Sequence, residues 1–107
     1  LGIKLIESMD EFERLVHEQE ELTLLKHSLT CPISAAAKEE YDKFSDQVDS
    51  PLYILHVQES RELSNAIADK YNIKHESPQV LHFKDNKVQW HDSHHRITEQ
   101  ALLANHK

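Results

Sequence analysis

Short apolar runs alternate along this chain with stripes of helical period, and few architectures accept that order. Ile3 to Ile6 is a strand candidate. Ser8-Met9-Asp10-Glu11 then has the spacing of a capping box, and Met9, Phe12, Leu15 and Val16 continue at helical spacing. Leu22 to His27 is short, apolar and rich in Leu, and reads as a buried strand. Pro32 suits the first position of a helix, where a missing N–H costs nothing. Ile33, Ala37, Tyr41, Phe44 and Val48 form that helix's apolar face, and Asp49-Ser50-Pro51 ends it.

Leu52 to Val57 is apolar on both parities, the pattern of a strand covered on both faces. Ser60 is placed to cap a helix whose face is Leu63, Ala66, Ile67 and Tyr71. Ser77-Pro78 leads into a strand from Gln79 to Phe83. Asp85 and Asn86 tolerate positive φ and predict a tight hairpin to a strand from Lys87 to His91. Thr98 reads as the N-cap of a last short helix, with Ile97 and Leu102 as its hydrophobic staple. The order β-α-β-α-β-α-β-β-α calls for parallel pairing early and an antiparallel hairpin late. It predicts one α/β domain over residues 1–107: a mixed sheet with helices on both faces, an order that resembles the thioredoxin-like fold.

Composition removes several function classes. The chain has 19 acidic against 12 basic residues, a net charge of −7, which repels phosphate backbones and argues against a nucleic-acid partner. No apolar run approaches the ~20 residues of a spanning helix, so no membrane partner is expected. The single glycine, Gly2, excludes a Gly-rich phosphate loop and a dinucleotide fingerprint. The single cysteine excludes an intrachain disulfide, a Cys-x-x-Cys pair and an all-cysteine zinc site. The opening residues lack the basic-then-apolar layout of a signal peptide. Together with the lone thiol, this gives a cytoplasmic expectation.

Cys31 stands between a predicted buried strand and the start of an amphipathic helix. Free N–H groups and the helix dipole favour an anion there, so the placement predicts a nucleophilic thiolate at neutral pH. Most lone cysteines are small buried apolar residues. Here Pro32 fixes the helix start, and Ser34 stands where dithiol enzymes carry their second cysteine.

Thr30-Cys31-Pro32-Ile33-Ser34 resembles the Cys-Pro-x-Ser site of monothiol glutaredoxin-like proteins. The fuller pattern is similar to the small bacilliredoxins of the bacillithiol system. It comprises Lys26-His27-Ser28, the Cys31 motif, Ser64-Asn65-Ala66-Ile67-Ala68, His75-Glu76-Ser77-Pro78-Gln79-Val80, Trp90-His91, Ser93-His94 and Ile97-Thr98. The resemblance runs from about Glu7 to Leu102. It implies a monothiol oxidoreductase that acts on bacillithiolated client proteins with bacillithiol, a low-molecular-weight thiol, as co-substrate. Cys31 attacks the bacillithiol sulfur and becomes bacillithiolated. A second bacillithiol or a reductase partner then regenerates it. Ser34 is able to donate a hydrogen bond to the thiolate but not to form a disulfide.

The same resemblance implies a cis proline at Pro78, with the backbone at Ser77 pairing with substrate. Glutaredoxins place a Gly-Gly pair near the position of Ser93 and His94. Its absence argues against glutathione and leaves Ser93 and His94, beside the Thr98 helix start, as contacts for bacillithiol's malate or sugar. Thr30 joins them as a cofactor-binding candidate. His27, four residues before Cys31, is either a proton relay to the sulfur or a structural histidine. Lys26 is read as pointing away. Trp90 reads as core. His91, His94 and His95 have ligand chemistry but no accompanying Cys or carboxylate set, so no metal is expected. The competing function is a non-enzymatic thiol-sensing or interaction module, modified at Cys31 under oxidative stress.

Overall fold

Two parallel crossovers followed by a hairpin determine the sheet. The computed structural model describes residues 2–106. Its elements are β1 (Ile3–Leu5), α1 (Met9–Glu18), β2 (Glu21–His27), α2 (Pro32–Ser45), β3 (Leu52–His56), α3 (Arg61–Tyr71), β4 (Gln79–Lys84), β5 (Lys87–Ser93) and α4 (Glu99–Asn105), with a 3-10 turn at His94–Arg96. The strands lie in the order β1-β3-β2-β4-β5. β3 pairs parallel with β1 and β2, and the β2–β4 and β4–β5 pairs are antiparallel.

The central strand β2 is buried from Leu22 through Lys26. Its alternating side chains feed two cores. Leu22 and Leu24 pack with Phe12, Val16, Leu63, Ile67 and Phe83 on the α1/α3 face. Leu25 packs with Ala37, Tyr41, Phe44, Ile97 and Leu102 on the α2/α4 face. Each fully buried aliphatic or aromatic side chain contributes roughly 1.5–3 kcal/mol, so the two apolar faces hold the layers together. A polar group deep in the second core, the Tyr41 hydroxyl, lies within hydrogen-bond distance of the carbonyls of Thr23 (3.0 Å) and Tyr53 (2.9 Å), which share its one proton.

The expected caps form at two helices. Ser8 Oγ accepts from the Glu11 N–H at 3.2 Å while the Glu11 carboxylate accepts from the Glu7 N–H, and Thr98 Oγ1 accepts from the Ala101 N–H at 3.1 Å. The hairpin turn places Asp85 at φ 52° and Asn86 at φ 62°, as its Asp-Asn sequence predicts. Several boundaries differ from expectation. α2 stops at Ser45, because tightened bonds from Asp46 N to Lys43 O and from Gln47 N to Phe44 O close its last turn. Val48 still packs on the second core, but from the loop. Ser60 opens α3 through its carbonyl, which accepts from Ser64 N; its hydroxyl makes no cap bond among the described residues. β5 runs on to Ser93 because it continues to pair with β4. Trp90 is half-buried against the second core.

Candidate active site

Strand register gathers four loops at one end of the sheet. His27 of β2 is level with His56 of β3, Lys26 with Gln79 of β4, and Gln79 with Ser93 of β5. The segments leaving β2, β3 and β5 and the segment entering β4 therefore share that edge. They carry Cys31, Gln58, His94 and Ser77-Pro78.

Cys31 is the N-cap residue of α2, with extended backbone (φ −101°, ψ 125°), and Pro32 follows at the first helical position. The thiol is free and half-buried. Its carbonyl accepts the first intrahelical bond, from Ala35 N at 3.0 Å. The turn before it is tied at several points. Ser34 is fully buried, and its Oγ accepts from the Ser28 N–H at 3.1 Å, so this hydroxyl braces the turn. Gln58, just past β3, commits its whole amide to the same turn. Its Oε1 accepts from Leu29 N at 3.0 Å, and its Nε2 donates to Ser28 Oγ at 2.7 Å and to Thr30 Oγ1 at 3.2 Å. Leu29 and Thr30, which precede Cys31 in the chain, are exposed, Leu29 at 48%.

His27 lies against His56, with ring centroids 5.9 Å apart, and its Nδ1 is buried without a partner among the described residues. Burial first, and the neighbouring His56 second, push its pKa below the ordinary histidine value. At neutral pH the ring is therefore uncharged, and it can exchange a proton but not supply a fixed cation.

The Ser77–Pro78 peptide bond is cis, and Pro78 is buried. The Pro78 carbonyl accepts from His94 N at 3.0 Å. His94 holds φ 58°, a left-handed conformation that favours glycine. Ser93 is buried and its Oγ donates to Glu76 Oε1 at 2.6 Å. That bond, first, holds the Glu76 carboxyl below its usual range. The Ser93 hydroxyl is thus engaged within the protein, while His94 remains half-buried at the edge. No cluster of three or more His, Cys, Asp or Glu side chains able to hold a metal occurs among the described residues. Nor is any helix among them long and apolar enough to cross a membrane.

A half-buried single thiol at a helix start, on the same end of the sheet as a cis proline, meets its match in comparison with known proteins. The family described as monothiol bacilliredoxin BrxC matches residues 4–102. The chain belongs to the monothiol bacilliredoxin family. A solved structure described as a proposed oxidoreductase with a thioredoxin fold is 39% identical, with a TM-score of 0.93 over 98% of this chain and 94% of that one. A mutant thioredoxin from Halobacterium salinarum superposes at a TM-score of 0.76 with 15% identity, covering 94% of this chain and 84% of that one. Fasciola hepatica thioredoxin gives 0.75 with 15% identity over 95% and 94%. The last two establish the thioredoxin fold alone. Family and fold together make this bacilliredoxin a thiol redox protein.

Two groups of residues in this bacilliredoxin escaped the sequence reading. Gln58 carries no motif, and only the crossover that lays β3 beside β2 brings it to the Cys31 turn. Lys26, Ser64 and His75 sit in matching motif segments yet had no assigned part. Lys26 lies on the α1/α3 side of β2 and is completely buried beneath α3. Its Nζ donates to the Ser64 carbonyl at 3.0 Å and lies 3.4 Å from His75 Nδ1. The pattern available to find it was a lysine inside a run of buried residues.

Proposed function

We propose that this bacilliredoxin removes bacillithiol from protein mixed disulfides through Cys31. The observation that carries the reading is the position of the one thiol: reachable, at the N-cap of α2, on the edge shared with Ser77-Pro78 and His94. First-turn N–H groups without intrahelical partners gather there, and Pro32 keeps that end of the helix fixed.

In the first step, the Cys31 thiolate attacks the bacillithiol sulfur of a bacillithiolated client protein. The Cys31–bacillithiol disulfide forms, the client disulfide breaks, and the client thiolate leaves and takes a proton from water. In the second, a bacillithiol thiolate attacks the adduct, bacillithiol disulfide leaves and Cys31 thiolate returns; a reductase partner supplying a thiol performs the same step. Ser34 cannot form a disulfide, so the chain runs a monothiol cycle. Ser77 offers backbone to the substrate next to Pro78, and Thr30 and His94 line the approach to the sulfur. Ser93 acts by holding Glu76 and the loop. The reducing cytoplasm is the setting in which such a thiol stays free.

Mass spectrometry of the protein mixed with bacillithiol disulfide, and separately with glutathione disulfide, tests the assignment. Faster adduct formation at Cys31 by bacillithiol is expected. Equal or reversed preference removes bacillithiol as the co-substrate.

A further inference from the structure

Two chain segments, β2 and α3, converge on the imidazole of His75, and β2 brings a buried charge. Lys26 Nζ is 3.4 Å from His75 Nδ1, and Ser64 Oγ is 3.0 Å from the same nitrogen. The Ser64 carbonyl on α3 takes a second bond from the ammonium at 3.0 Å. His75 begins the run His75-Glu76-Ser77-Pro78, and its neighbour Glu76 is anchored on β5 by Ser93. From the other side, Gln79 Nε2 donates to the Lys74 carbonyl at 3.0 Å.

The chemistry of the donors decides the state of the ring. A serine hydroxyl both donates and accepts, so Ser64 alone leaves either tautomer open. An ammonium only donates. With Lys26 present, Nδ1 must accept, and the proton of the neutral ring must sit on Nε2. We infer that Lys26 is a positioning residue for substrate: its buried ammonium, held between the Ser64 carbonyl and His75 Nδ1, fixes the His75 ring in one tautomer and with it the segment entering Pro78. This rests on the proposal that backbone beside Pro78 pairs with the substrate. It extends that proposal by naming the residue that holds the docking segment still.

A buried lysine is otherwise hard to account for, since its charge loses hydration and finds no carboxylate in return among the described residues. Burial lowers the Lys26 pKa to about 8, so the ammonium persists at neutral pH. His75 is pushed below its ordinary value by burial first, then by Lys26 and Arg61, with Glu76 opposing. Both directions agree with a neutral ring accepting from a charged lysine.

Nitrogen-15 NMR of the imidazole rings and steady-state kinetics on a bacillithiolated test protein provide the test. In the wild type at pH 7, His75 is expected wholly in the Nε2–H form. In Lys26→Met, both tautomers are expected, with KM raised about tenfold and kcat within about twofold. Because the substitution removes an unpaired buried charge, stability should stay equal to the wild type or rise, which separates positioning from folding. The wild type offers the same test without a variant, since raising the pH from about 7 to about 9.5 discharges Lys26 and frees the tautomer choice. A ring that stays in the Nε2–H form in Lys26→Met or at the higher pH, or a freed ring with unchanged KM, overturns the inference. If the wild type does not turn over the bacillithiolated protein, the proposed function fails instead, and the kinetic arm moves to a glutathione mixed disulfide with the same criteria.

Discussion

The antiparallel strands β2 and β4 bury two ionisable side chains, on opposite faces and at different heights, and the two are wired to different things. Lys26 stands near the Cys31 edge on the α1/α3 face and is bonded to α3 and to the loop before Pro78. His82 stands further along on the α2/α4 face, level with Thr23. Its Nδ1 meets Thr23 Oγ1 at 3.0 Å, and its Nε2 lies 3.5 Å from Glu21 Oε2, too long for a hydrogen bond. The His82 ring also packs on His106, 5.8 Å between centroids, and His106 in turn contacts Phe44 and Ser50. At the far end buried polarity fastens the C-terminal helix to the sheet. At the near end it steadies loops that carry the candidate chemistry.

The largest expected effect separates the two regions outright. Cys31→Ser should abolish disulfide exchange, by more than about 10³-fold, while the urea midpoint stays put. Residual turnover in that variant would place chemistry elsewhere in the chain. His82→Ala should do the reverse. It opens a cavity and strands Thr23, at a cost of about 2 kcal/mol in equilibrium unfolding, and should leave the exchange rate of the folded protein unchanged. A slower exchange in that variant would show that the two ends are coupled.

Acid sharpens the contrast. Burial, the leading cause at His82, His27 and His75 alike, holds each native pKa below the ordinary 6.5. The unfolded chain therefore takes up protons near pH 6.5 that the folded chain refuses until lower pH. The histidine contribution to stability is complete above about pH 6.5 and falls as the pH drops from there toward the native values. Unfolding midpoints measured from about pH 8 to about pH 5 should follow that slope, and His82→Gln should flatten part of it. The smallest effect concerns Gln58→Ala. Stability should change by less than about 0.5 kcal/mol, because the side chain is exposed, and kcat/KM should fall about fivefold as the Cys31 turn loosens. Unchanged kinetics would leave Gln58 with no part in positioning the thiol turn.

What could be read from sequence was whatever has a local period or a local steric rule. The stripes of α1 and α3, the doubly apolar β3, Pro32 at the start of α2 and the Asp85-Asn86 hairpin all follow from neighbours a few residues apart. Cys31 at the helix entry was legible for the same reason. The unread parts depend on distant pairings. Gln58 reaches residues about thirty positions away, and Lys26 meets His75 across forty-nine. Neither leaves a pattern in either segment alone. The expected run of α2 to Val48 erred because an apolar residue can pack on the core from a loop as well as from a helix. The 3-10 turn was hidden because His94 occupies a backbone region that its residue type seldom announces.

With its only glycine at position 2, the molecule builds its left-handed turns from Asn72, Asp85, Asn86 and His94. Each departs from the ordinary right-handed preference at a cost of roughly 1 kcal/mol, less for asparagine. Glycine at Asp85 would relieve that cost but adds a comparable loss of backbone entropy on folding, so the two nearly cancel in melting temperature. The same exchange at His94 would slacken the residue whose amide clasps the Pro78 carbonyl, so a heat-hardened version of this chain should leave that histidine alone.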